Sequence, residues 1–193
     1  VIDVALTVVR AIHFAAVLGL EGSIAFLFVA AGAARLGPAT YREVANWSLW
    51  VASPLWGVAV LSGGAWLAVL AGQIAGTTAI DAVRQGVDWT LLKETQFGIS
   101  WLWRAGIAGL LGLALLFAEG RGSGHRICAA AAVVLSIALT GSLAWSGHGA
   151  ATPGRIGDLH LAADVVHLIA SGLSFGALLP FSIVLLFASR GGM

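Results

Sequence analysis

Apolar residues in this chain come in five long runs, with most of the charged residues between them. The runs span Val4 to Ala34, Val44 to Ile74, Phe97 to Ala118, Ile127 to Ser146 and Leu159 to Ala188. Each reaches the roughly 20 residues a helix needs to cross a hydrocarbon core. None shows the alternating segments of about ten residues that mark barrel strands. The pattern predicts an all-α integral membrane protein: one transmembrane domain over residues 1–193, a bundle of about five helices. Pro54 and Pro180 fall inside the second and fifth runs and predict kinks, because each removes a backbone donor. Gly, Ala and Ser crowd all five runs, which lets helix backbones approach closely in lipid.

The connection from Ala75 to Gln96 is long. Ile80, Val83, Val87 and Leu91 recur in it at roughly helical spacing, beside Trp89. A short amphipathic helix on the outer interface fits this pattern, and so does a solvated loop.

Composition narrows the class further. Hydrophobic residues make up 59% and charged residues 10% of the chain, with a mean hydropathy of +0.95; about a quarter of a soluble domain is charged. A net charge of +1 leaves no nucleic-acid footprint, and Cys128 as the single cysteine excludes an internal disulfide and CxxC chemistry. The first run is too long for a cleavable signal peptide, whose apolar core spans about 7–15 residues. Arg35, Arg42, Arg121, Arg126 and Arg190 fall on one side of the predicted bundle against Glu43 and Glu119. Arg10, Arg84, Lys93 and Arg155 fall on the other, against Asp3, Asp81, Asp88, Glu94 and Asp158. The first side is the expected cytoplasmic one, so the N-terminus is expected outside.

Candidate chemistry concentrates between Trp145 and His167, WSGHGAATPGRIGDLHLAADVVH. His160, Asp164 and His167 stand at i, i+4 and i, i+7, on one face of the fifth helix. His148 closes the fourth helix across the turn, and His13 lies about ten residues into the first. At about 1.5 Å per residue, His13 and His167 fall at similar depths, with His148 and His160 nearer the outer surface. His13 is followed by Ala16 and Gly22, and His167 by Ala170 and Gly176, at matching offsets. Polar groups of this kind are expensive inside a membrane.

Three roles fit such a cluster. Neutral imidazoles ligate copper or zinc, with Asp164 orienting a ring or binding the metal itself. His13 and His167 can instead supply both axial ligands of a haem b, with Arg104 or Arg10 facing a propionate. In the third role each histidine only hydrogen-bonds a neighbouring helix. Arg104 matches Asp164 in depth and is expected to pair with it, while Glu21 lies deeper with no obvious partner and is expected to be protonated. The only methionine is Met193, so no thioether ladder for Cu(I) crosses the bundle. No nucleophile and base pair and no phosphate loop stands out. A transporter or an electron-transfer subunit is therefore expected over a stand-alone enzyme.

Several stretches resemble the copper resistance protein D family of bacterial inner-membrane proteins. They are TQFGISWLWR at Thr95 to Arg104, SGHGAA at Ser146 to Ala151, DLHLAADVVHLIASGLSFGALLP at Asp158 to Pro180, and RAIHFAAVLGLEG at Arg10 to Gly22. The match is clearest from Thr95 to Phe187. The resemblance implies a multi-pass inner-membrane protein for copper uptake or handling that works with a periplasmic copper-binding protein. It makes His13, His148, His160 and His167 the candidate metal ligands. Family members are often longer, with about eight spans, and carry a Trp where Leu20 and Ser174 stand here. This departure leaves two alternatives: a shortened transporter, or a related scaffold reused as a haem-bearing subunit that passes electrons between a periplasmic redox partner and the quinone pool, alongside other membrane subunits.

Overall fold

A computed structural model describes the backbone of residues 4–33, 38–118, 123–147 and 152–189. It describes their side chains except at 27–33, 38–45, 123–126, 183, 184 and 187–189. His148 lies outside the described residues, as do Arg35, Glu119, Arg121 and Arg190 of the expected cytoplasmic set.

Helices account for the described chain almost throughout, and no strand occurs among the described residues. They are α1 (Val4–Ala33), α2 (Pro38–Ala75), α3 (Ala79–Arg84), α4 (Val87–Glu94), α5 (Gln96–Ala118), α6 (Ser123–Ser142), α7 (Gly154–Ser171) and α8 (Ala177–Ser189). A 3₁₀ turn, Leu143–Ser146, extends α6. One π turn, Gly172–Gly176, joins α7 to α8. Five segments are long and apolar enough to span a membrane: Val4–Phe26, Asn46–Ala75, Gln96–Ala118, Ile127–Ser146 and Gly154–Ser182. The protein is thus an all-α, multi-pass membrane protein.

The fifth span contains the predicted irregularity. Pro180 has no amide hydrogen to return to the carbonyl four residues back, at Gly176, and the π turn ends at that residue. Pro54, by contrast, sits within one continuous α2.

The core lies among α1, α2, α5 and α6, where Leu20, Leu111, Leu139 and Leu143 are fully buried. Large apolar side chains such as Trp50, Trp103, Leu116 and Phe175 point outward. In water such a surface would be a liability, but in a bilayer it is the expected lipid-facing side. Trp56 shows how close the helices come. Its indole Nε1 donates to the Ala108 carbonyl at 2.8 Å, and its ring occupies the space that a side chain on Gly112 would need.

The long second connection folds into two short helices. Thr78 caps α3 by accepting from the Asp81 amide at 3.1 Å. Gly86, at φ +74°, makes the break before α4 in the left-handed region that favours glycine. Ala82 and Leu91 bury against Ala71 of α2 with Val87 alongside, while Ile80, Val83 and Trp89 stay exposed. Lys93 lies over the Trp89 ring at 4.5 Å. The hydrophobic spacing therefore did mark helix, in two pieces of which only part of the apolar face is buried.

Candidate functional site

Among the described residues His13 is the buried imidazole, 4% exposed. It faces α2. Its Nδ1 lies 2.9 Å from the Ala59 carbonyl and 3.2 Å from the Ser62 hydroxyl. A carbonyl only accepts, so Nδ1 carries the hydrogen, and in the neutral ring Nε2 keeps its lone pair. Nε2 is buried and has no hydrogen-bond partner. The run Ser62-Gly63-Gly64 makes this fit possible, because a side chain on Gly63 would press on the His13 ring.

His13 opens onto a cavity of about 170 Å³, lined also by Trp56, Trp101, Arg104 and Leu139. That is below the roughly 300–1,000 Å³ of pockets that hold drug-sized molecules. It suits an ion or a few waters. Trp66 stands edge-on to His13 with centroids 5.7 Å apart, and the guanidinium carbons of Arg10 and Arg104 lie 5.1 and 5.5 Å from its ring centroid. An exposed cation–π contact contributes about 0.5–1 kcal/mol, and a desolvated one more.

Arg104 does not form the ion pair expected from depth. Its Nη2 donates to the Ser142 carbonyl at 2.9 Å and the Ser146 hydroxyl at 2.8 Å, and Nε donates to the Ser142 hydroxyl at 3.3 Å. The guanidinium thus sits on the C-terminal end of α6, where free carbonyls and the negative end of the helix dipole attract a cation. Helix-end carbonyls replace a carboxylate partner, a substitution that spacing alone does not reveal. Arg10 reaches the same turn, with Nη2 at 3.4 Å from the Ser146 carbonyl. The Asp164 carboxylate lies where a side chain on Gly147 would touch it. The 3₁₀ turn therefore draws Arg10, Arg104 and Asp164 towards the residue that precedes His148.

The remaining histidines sit differently. His160 and His167 are exposed on α7, and Asp164 between them is half-buried. Parallel packing of α1 on the fifth span follows from three contacts in order: Glu21 with Gly172, Gly22 with Gly176, and Phe26 with Phe181. The matching glycines of the internal echo thus touch, which puts His13 and His167 at one level. Their side chains are turned apart, His13 into α2 and His167 outward. The structure does not bring them together as paired haem ligands. Among the described residues no group of three or more His, Cys, Asp or Glu is close enough to hold a metal ion.

Ser62, Trp66 and Gly63 escaped the sequence reading. The SGG run in α2 was the available signal for close approach, and eight tryptophans hid the one that packs on His13.

Fold and site define a multi-pass helical membrane protein built around a buried, tautomer-fixed histidine. The chain belongs to the copper resistance protein D-like family, whose N-terminal domain matches residues 1–158. The match takes in His13, Arg104 and His148 and stops before His160, Asp164 and His167. The chain is also similar to copper resistance protein D of Pseudomonas syringae pv. tomato, at 35% identity over 100 residues. That alignment covers 49% of this chain and 30% of the relative. No solved structure matches the chain.

Proposed function

We propose that this protein binds copper and passes it on at the bacterial inner membrane, with its N-terminus outside. His13 is the inner ligand. His148, His160, His167 and Asp164 are the outer candidate donors, and a periplasmic copper-binding protein supplies the metal. The observation that carries this reading is the His13 ring: Nδ1–H held by the Ala59 carbonyl and a buried Nε2 lone pair with no partner. Metal-ligating histidines are commonly arranged so, the second nitrogen donating to a carbonyl that fixes ring and tautomer. The family supports copper as the cargo. Arg10 and Arg104 near the ring make the site electropositive, which disfavours a doubly charged ion more than a singly charged one and favours an anionic co-ligand such as Asp164.

Copper retained by the purified chain after desalting tests this reading. His13→Ala is expected to lose bound copper, with affinity falling at least about tenfold, the scale of one disturbed ligand shell. Unchanged copper in a folded His13→Ala variant overturns it.

A further inference from the structure

Glu21 takes no part in the copper reading, yet it is the one fully buried carboxylate among the described residues, 0% exposed. Neither of its oxygens has a hydrogen-bond partner. It projects from α1 into the space left by the missing side chain of Gly172, where any Cβ would overlap the carboxylate. Gly22 and Gly176 bring the two backbones into direct contact one turn further on. Thr140 of α6, also fully buried, lies beside it as the one side-chain group near enough to share a hydrogen bond with the carboxyl, although none of full geometry forms.

Among the described residues the surroundings hold no countercharge. The described part of α2 from Asn46 onward, the π turn and α8 contain no titratable residue. α5 contributes only Arg104, which is committed to the end of α6. On α1 the next titratable group inward or outward is His13, eight residues away and turned to α2. On α6 it is Cys128, twelve residues from Thr140, or about 18 Å along the helix. On α7, His167 is exposed. An ionised carboxylate at 0% exposure, with no cation facing it among the described residues, is costly. A metal cation here would find one carboxylate and one hydroxyl, too few oxygens for a hard ion that takes six or more.

We infer that Glu21, facing Gly172 in the π turn and Thr140 on α6, is a proton-binding site inside the membrane, holding an exchangeable proton as a neutral acid. The neutral form has an O–H to donate, and the Thr140 hydroxyl beside it can accept. The site lets the bundle change its internal charge by one unit without a second ionic partner. It is independent of the copper reading.

Infrared spectroscopy of the full chain in detergent tests it. A protonated carboxyl C=O band is expected at neutral pH, absent from Glu21→Gln and lost from the wild type as the buffer is made alkaline. Carbodiimide labelling of the unmodified chain, which requires the protonated acid, is expected at Glu21 and is expected to weaken over the same range. Equal spectra for wild type and Glu21→Gln, with no label at Glu21, show an ionised group and overturn the proposal. A band that survives every alkaline buffer short of unfolding shows a fixed structural proton and overturns it too. Loss of the band on adding sodium or potassium at constant pH assigns the site to a metal cation instead.

Discussion

Arg104 is where the residue-level physics departs most from expectation. A guanidinium within a span needs compensation, and the obvious partner was the carboxylate at equal depth. The structure instead places it on the Ser142 carbonyl and two serine hydroxyls at the end of α6. Removing it leaves those half-buried groups without this donor and removes the charge from the Trp66 face. Arg104→Met is expected to lower stability by about 1.5–3 kcal/mol, the range for a hydrogen bond to a charged group. Arg104→Lys should recover less than half, because an ammonium lacks the planar fork. Thermal unfolding in detergent reads both, and an Arg104→Met protein as stable as wild type refutes the anchoring role. By contrast Asp164→Asn, which removes no bond that Arg104 makes, should leave the unfolding midpoint nearly unchanged.

At the scale of elements, glycines separate into those that set helix contacts and those that do not. A methyl at Gly22 or Gly176 would overlap backbone of the opposing segment, whereas Gly106 on α5 faces open space. Overpacked contacts typically cost about 1–3 kcal/mol. Gly176→Ala and Gly22→Ala should therefore each destabilise on that scale. Gly106→Ala should be neutral or stabilising by up to about 1 kcal/mol, the helix-propensity gain. Equal behaviour of all three would mean that the α1 contact with the π turn does not hold the bundle. The glycine echo was visible in the sequence as two equal offsets from histidine. Its meaning was not, because a spacing match says which residues share a register and not that the two helices touch.

For the whole molecule, the expected orientation puts α3, α4 and the start of α7 outside. Cysteines introduced at Ile80 and Ile156, both exposed, in a Cys128→Ala background should react with a membrane-impermeant maleimide from the periplasmic side of intact cells. Labelling only after the membrane is opened would reverse the orientation and move the histidine site to the cytoplasmic leaflet. The family match runs through α1 to the first residues of α7. The segment bearing His160 and His167 therefore needs its own test, and single alanine variants of each in the copper assay supply one.

The sequence by itself determined the class, the five spans and the family, and made helix one of two readings of the connection from Ala75 to Gln96. Each of these follows from local quantities: the length of apolar runs, the scarcity of charge, the period of Ile80 to Leu91, and short motifs around histidine. It also named His13, since a histidine in an apolar helix stands out by cost alone. Tertiary structure alone decided which way each polar group faces: His13 into Ala59, Arg104 onto the α6 carbonyls, Glu21 into the gap at Gly172, and His160 and His167 outward. The reason is that helical spacing fixes only which residues share a face. Which neighbour that face meets depends on where glycines and released carbonyls on other helices leave room and acceptors.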